Sequence, residues 1–352
     1  MSEQVTLADV ARWAGVSLAT ASRALHGTTG RTVGPELRAR VKAAAAELNY
    51  SPNANAQAVV RGTTTTVGLI VHDIADPSAA ALASGVMAAA ADRNLIVTIG
   101  STMSDPFIEI RHVEALRSQR AKAVILAGSR FNDRESTERL AEELVGFSVG
   151  GGYVAVVGQH SLPLNTIIID NAGGAARLAR ALVALGYHRF ALLAGPEALV
   201  TSEDRVAGFR SGLAEVGVEL PEENIISAQF TRDGGYVGMT ELLDRDLDVE
   251  LVFAVNDVMA VGAIAALRDQ GHRVPQDMAV AGFDDIPTLR DVRPSLTTVR
   301  LPLADIGRRA LELALDRRPA LAPDDVDSPT VVTVPGEVVI RESTPQRGPA
   351  ST

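Results

Sequence analysis

From Val67 to about residue 290, short runs of Val, Ile, Leu and Ala alternate with longer Ala- and Leu-rich stretches of helical period, and this alternation constrains the fold more than anything else in the chain. The apolar runs are 67–73, 95–100, 123–127, 154–158, 166–170, 189–195, 251–255 and 278–283. The amphipathic segments between them include 78–93, 106–119, 172–186, 203–216 and 258–271. Strands that are apolar along their whole length are covered on both faces, and strands separated by helices pair in parallel. With aromatics at 4% and a single Trp, the shared core must be aliphatic. Two sheets rather than one are expected, because "GGYVAVVGQHSLPLN" reads as a join between halves. The overlapping "VGFSVGGGYVAVVG" has the glycines of a dinucleotide loop without their G-x-G-x-x-G order, and it reads as a loop.

The first fifty residues follow a different pattern. Leu7, Val10, Ala11 and Ala14 stand at i, i+3, i+4 and i+7, and Thr6 with Asp9 reads as a capping box. Gly15 falls where a left-handed turn residue belongs, and Ser17 is a good N-cap for a second helix reaching about Leu25. Pro35 opens a third, with Leu37, Val41, Ala44 and Leu48 as its stripe. Charge divides in the same place. Residues 1–61 carry seven Lys/Arg against four Asp/Glu, a net +3, while the whole 352-residue chain is at −10. A small basic head on an acidic body is the distribution expected of a nucleic-acid-binding unit joined to a regulatory or catalytic one.

The residues of that head are specific. "TLADVARWAGVSLATASRALHG" resembles the helix-turn-helix of the lactose-repressor/galactose-repressor (LacI/GalR) family of bacterial transcription regulators. Thr6, Asp9, Val10, Ala11, Ala14, Gly15, Val16, Ser17, Thr20, Ser22, Arg23, Leu25 and Gly27 match the family pattern, with Ala21 in place of Val and His26 in place of Asn. Leu48, Tyr50, Pro52, Asn53 and Ala56 in "AELNYSPNANAQAV" are similar to the family's third-helix end and hinge helix. The remainder resembles its periplasmic-binding-protein-like core. The resemblance implies an all-α helix-turn-helix head (1–51), a hinge (52–62) and an α/β body of two Rossmann-like lobes with parallel sheets (63–343). Lobe one is expected over about 63–165 and 297–325, lobe two over about 166–296 and 326–343, and a disordered tail over 344–352.

The implied function is that of a transcriptional regulator, most naturally a repressor, acting as a homodimer on a pseudo-palindromic double-stranded operator and controlled by a small carbohydrate effector. The second helix would enter the major groove. There Leu18 and Ala19 hold the reading positions and can make only apolar contacts, for instance with a thymine methyl. Polar contacts then fall to Thr6, Ser17, Thr20, Ser22 and Arg23, with Arg23 suited to a base edge; the Ser17 hydroxyl serves equally as cap or phosphate donor. In the hinge, Asn53, Ala56 and Val59 are the implied DNA contacts. Val59 stands where the family places a wedging Leu, so its insertion into the minor groove is expected to be shallower. In the body, Asp73, Arg205, Phe230, Asn256 and Asp284 are the implied ligand contacts, a set of donors and acceptors beside an aromatic plate that suits hydroxyls and sugar C–H surface. Asp76 replaces a more usual Asn, and Leu199 stands where purine-binding relatives have Arg, which weakens a purine reading.

Other classes fare less well. The chain has no Cys, and its six His fall at no metal-ligand spacing; neither catalytic triad nor phosphate loop is distinctive, so no cofactor, metal or catalysis is expected. No membrane span is expected, and "MSEQVTLADV" lacks the basic and apolar regions of a signal peptide, implying a cytoplasmic protein that joins the nucleoid on its operator. The rivals are a cytoplasmic or transport-linked sugar-binding protein without a DNA role, and an α/β enzyme.

Overall fold

The computed structural model describes residues 5–26, 33–51, 62–158, 162, 164–316 and 329–347. It divides into two compact units, residues 1–64 and 65–352. The hinge residues Asn53, Ala56 and Val59 lie outside the described residues. No described helix is long and apolar enough to cross a membrane.

In the head, α1 (Leu7–Trp13), α2 (Leu18–His26) and α3 (Pro35–Glu47) pack around Val10, Ala11, Ala14, Ala21, Ala24, Val41 and Ala44. Leu37 opens the predicted α3 stripe but is exposed, in the helix's first turn. The expected capping box is present. Thr6 Oγ1 accepts from the Asp9 amide, and the Asp9 carboxylate accepts from the Thr6 amide (3.0 Å) and hydroxyl (2.6 Å). Gly15 has φ of 62°, the left-handed geometry that lets the chain reverse between α1 and α2 without a Cβ clash.

The body contains two parallel sheets among the described residues. Its first strands are β1 (Thr66–Val71), β2 (Ile96–Ser101), β3 (Ala123–Ala127), β4 (Tyr153–Gly158) and β5 (Thr166–Ile169). These join a late strand, β11 (Val331–Val334), in the order β11-β5-β4-β3-β1-β2. Helices α4 (Pro77–Ala91), α5 (Pro106–Ser118) and α6 (Arg134–Val149) connect them. The second lobe runs α7 (Asn171–Ala184), β6 (Phe190–Ala194), α8 (Val200–Ala214), β7 (Ile225–Ser227), α9 (Arg232–Asp244), β8 (Leu251–Ala254), α10 (Asp257–Asp269) and β9 (Ala279–Ala281), with sheet order β7-β6-β8-β9. The chain returns through β10 (Thr298–Arg300) to α11 (Leu303–Leu315), which packs on α4, then through β11 to β12 (Glu337–Val339), antiparallel to β10.

Three sequence expectations change. Thr166–Ile169 and Val331–Val334 pair with each other in the first sheet, in register Val331 to Thr166, so both belong to lobe one rather than lobe two, and the crossover falls after Asp170. Residues 145–149 are the last turn of α6 rather than loop, carried by the stripe Leu140, Leu144 and Phe147 that buries against the sheet. Residues 344–347 are fastened rather than disordered; 348–352 lie outside the described residues. Thr344 is buried, the Tyr187 hydroxyl donates to Pro345 O (3.0 Å), and the Arg347 amide donates to Leu185 O (2.8 Å).

Close helix crossing fixes lobe one. A Cβ on Gly85 of α4 would lie 1.8 Å from Ala304 O, and one on Gly307 of α11 would lie 2.1 Å from Leu82 O. Only glycine at both positions lets the two backbones approach this closely. This contact ties the late-sequence α11 onto the early lobe.

Candidate functional site

On the head, α2 presents a face of Ser17, Leu18 and Ala19, all exposed, bordered by the half-buried Thr20, Ser22 and Arg23. Ser17 caps the helix: its Oγ accepts from the Thr20 amide (3.2 Å) and shares a hydrogen bond with Thr20 Oγ1 (2.8 Å). Leu18 is 54% exposed although nothing in its own unit needs it there. Arg23 Nε donates to Ala19 O (2.9 Å), which lays its guanidinium back along the first turn of α2. Thr6 is engaged in its capping box. That box, with Arg12 adding its charge, holds the Asp9 carboxyl below the usual carboxylate range.

In the body, the carboxyl ends of the strands of both lobes meet at a cleft of about 620 Å³, its mouth included. Ligand sites in such folds lie at the carboxyl ends of parallel strands. Lobe two contributes Arg205 from α8. It is 3% exposed, and its guanidinium lies 3.8 Å from the centre of the Phe283 ring. It donates from Nε to Asn171 Oδ1 (2.9 Å), from Nη1 to Val255 O (2.7 Å) and from Nη2 to Asp284 Oδ1 (2.7 Å). Asp284 has φ of 114°, a backbone conformation that residues with a Cβ rarely adopt and that the surrounding structure must enforce. The next residue supplies the enforcement, since the Asp285 carboxylate accepts from Arg300 Nε (2.7 Å) and Arg341 Nη2 (3.0 Å).

The site is electrostatically tense. Burial pushes the Asp284 carboxyl up to about 6; Arg205 works against this, and the Asp76 charge across the cleft adds to it. Behind it Asp257 is wholly buried and raised further by burial and by Asp284, though it accepts from Thr298 Oγ1 (2.7 Å) and the Ile286 amide (3.0 Å). Lobe one faces this with His72 and Asp76, joined through Nε2 and Oδ2 at 2.8 Å. Burial would raise Asp76, but the His72 contact and the Ser78 amide at the start of α4 hold it below its ordinary value.

Of the five predicted ligand residues, Arg205, Phe230 and Asp284 line this cleft together. Asp73 and Asn256 do not line it. Asp73 Oδ1 closes a turn with the Ala75 amide (2.9 Å). Asn256 caps α10 by accepting from the Met259 amide (2.8 Å), and its Nδ2 donates to Phe230 O (3.4 Å), so it buttresses the aromatic plate from behind. Sequence reasoning missed His72, Ser129, Asn171 and Thr201 on the lining. Only Asn171, directly after Asp170 at a helix start, carried any local signal.

The two lobes also touch through backbone. The Asn132 amide donates to Ala198 O (2.7 Å), the Val200 amide to Arg130 O (3.1 Å) and the Thr201 amide to Ser129 Oγ (3.2 Å), with Phe131 and Leu199 forming an antiparallel bridge. This clasp joins the lobes beside the cleft. Leu199 is held in this clasp through its bridge to Phe131.

Comparison with known proteins finds relatives of both the head and the body. Residues 6–53 match the family "Bacterial regulatory proteins, lacI family", and residues 179–344 match a periplasmic binding protein-like domain. The chain is 36% identical over 311 residues to the HTH-type transcriptional regulator GalS of Salmonella typhimurium, covering 88% of this chain and 89% of that protein. It is 33% identical to CelR of Thermobifida fusca over 96% of this chain and 98% of the relative. Among solved structures, it is similar to a lac repressor dimer bound to operator and the anti-inducer ONPF (TM-score 0.83, 26% identity, 97% of this chain and 100% of that one). It is also similar to a transcriptional regulator CelR-cellobiose complex (TM-score 0.68, 30% identity, 97% and 100%). A lacI-family helix-turn-helix head and a periplasmic-binding-protein-like body are what the chain has in common with these relatives, and it belongs to the lacI family of bacterial regulatory proteins, as a DNA-binding transcriptional regulator controlled by a small ligand.

Proposed function

We propose that the chain is a repressor that binds a pseudo-palindromic operator as a homodimer and is switched by a neutral sugar held between its lobes. The observation that carries the sugar reading is the facing pair of acids, the buried Asp284 on Arg205 and the half-buried Asp76 on His72, with Phe230 on the same lining. Carboxylates accept from hydroxyls, and an aromatic face takes the C–H surface of a pyranose. Asn256 and Asp73 then act indirectly, as supports of Phe230 and of the loop before α4. Binding across the lobes favours the closed arrangement by as much as the sugar prefers it, and operator affinity responds through that difference.

Dimerisation is supported by an apolar edge. Ile96 (67% exposed) and Ile99 stand on β2, the outermost strand of the first sheet, with Met103 and Phe107 following and Met87 on α4. Exposed apolar side chains on a sheet edge favour pairing with another chain. Two heads of net +3 then supply the phosphate contacts, while sequence is read by Leu18, Ala19 and Arg23. Residues 1–61 and the lacI-family head set this chain apart from a sugar-binding protein without a DNA role.

A gel shift with DNA from upstream of the chain's own gene tests the reading. Specific binding that weakens steeply with salt and changes when a sugar panel is added is the expected result. Binding equal to that of random DNA would refute the regulator assignment, and indifference to every sugar would refute the effector class.

A further inference from the structure

Lobe one holds a second pocket, of about 460 Å³ with its mouth, between the starts of α5 and α6 and the ends of β1 and β3. It meets the interlobe cleft along Val71, His72, Ala127, Gly128 and Ser129, which line both. Most of its polar side chains are partnered within the fold, but among the described residues Glu109, Arg130 and one nitrogen of His72 are not. Glu109 is 9% exposed, yet its carboxyl has neither hydrogen bond nor ion pair. Arg130 has no side-chain partner either, and its Nη1 is buried; so is His72 Nδ1, on the side of the ring away from Asp76. Burial pushes the Glu109 carboxyl above its usual range despite the nearby Arg130 charge. Native interiors seldom leave two such buried nitrogens unpaired side by side, and each calls for a partner.

Donor and acceptor chemistry narrows that partner. Arg130 can only donate and an ionised Glu109 can only accept, so one group able to do both, a hydroxyl, satisfies the two at once. An anion would meet Glu109 and a cation would meet Arg130. Phe131, half-buried on the same lining, offers a face for C–H groups. The two spaces adjoin along five shared lining residues, so one linked ligand can reach both.

We propose that this pocket is a second subsite for the effector, in which an uncharged hydroxylated unit lies on Glu109, Arg130 and Phe131 while a linked sugar unit occupies the cleft at Asp76, Arg205 and Asp284. The effector is then a disaccharide or a comparable glycoside rather than a monosaccharide. This rests on the sugar reading of the cleft, and the binding experiment separates the two.

Calorimetric titration of the full chain with cellobiose, lactose and maltose, and with glucose and galactose as their components, makes the test. One disaccharide is expected to bind at least about tenfold more tightly than either of its components, the change that one well-made hydrogen bond to a charged group brings. Arg130→Gln and Glu109→Gln should each erase most of that advantage and leave monosaccharide binding within about twofold, since neither residue lines the cleft. Equal affinity for disaccharides and their components overturns the second subsite while leaving the cleft reading intact. So does a parallel loss for both sizes of sugar in the two variants, or tighter binding of glucose 6-phosphate or glucuronic acid than of any neutral sugar. If no sugar of either size binds, the cleft reading falls and takes the proposal with it.

Discussion

Removing the Arg205 side chain should destabilise the body by an amount that grows with pH. Its three donors go to Asn171 Oδ1, Val255 O and Asp284 Oδ1, all within 2.9 Å, and the side chain is 3% exposed. Breaking a buried ion pair from one side costs about 3–5 kcal/mol, because the remaining charge has no partner. Here pH decides how much of that is felt. The Asp284 carboxyl titrates at about 6 with Arg205 in place, and without the guanidinium it must titrate higher still. A carboxyl whose folded pKa lies above its unfolded one keeps its proton longer in the folded state, so stability falls as pH rises through that window. At pH 5 Asp284 is mostly protonated in both wild type and Arg205→Ala, and the loss is confined to two neutral acceptors and the packing against Phe283. At pH 8 the wild type holds a paired carboxylate, whereas the variant must retain a proton or bury a lone charge, at about 1.4 kcal/mol for each pH unit above the wild-type value. Two units amount to about 3 kcal/mol of additional destabilisation at pH 8. Urea denaturation followed by circular dichroism at both pH values measures the difference, with Asp284→Asn as the background in which it should vanish. Equal losses at pH 5 and pH 8 would refute the reasoning, since they would mean that Asp284 does not carry the charge Arg205 compensates.

Two further outcomes follow from the same geometry. Sugar hydroxyls donate more strongly to the ionised than to the protonated Asp284, so effector affinity should fall as pH drops through about 6, by no more than about tenfold per unit; calorimetry should find that dependence flattened in Asp284→Asn. Arg23→Ala should reduce discrimination between operator and random DNA by about 1–3 kcal/mol in competition gel shifts, the usual weight of a base-edge contact; matching losses on both DNAs would assign Arg23 to phosphate alone.

The head was legible in the sequence because its determinants are local. Thr6 and Asp9, Gly15, and Ser17 with Thr20 each act within four residues, and the structure places them in a capping box, a left-handed turn and an N-cap. Strands 123–127 and 166–169 were equally plain, since an unbroken apolar run identifies a doubly covered strand wherever it ends up. The glycines of 146–152 misled. Local propensity drew the reading to a loop, while Leu140, Leu144 and Phe147 kept the helix going to Val149 by burying against the sheet. Arg205 and Asp284 were nominated by family resemblance rather than by pattern, and an isolated "EDR" would have read as a solvated surface.

By itself, then, the sequence determined the head's three helices and the central apolar strands of the body, that a basic three-helix head precedes an acidic α/β body, and that the start of α2 offers leucine and alanine rather than hydrogen-bonding side chains. Those are properties of short-range periodicity, capping and charge. Only the tertiary structure decided which sheet receives Thr166–Ile169, that residues 344–347 are fastened to lobe two, and that Asp73 and Asn256 stand behind the cleft while His72, Asn171 and Thr201 line it. Each of these depends on which distant segments become neighbours, and that is settled by crossings such as Gly85 on Ala304, where the closeness of two backbones more than two hundred residues apart decides what the strand ends can reach.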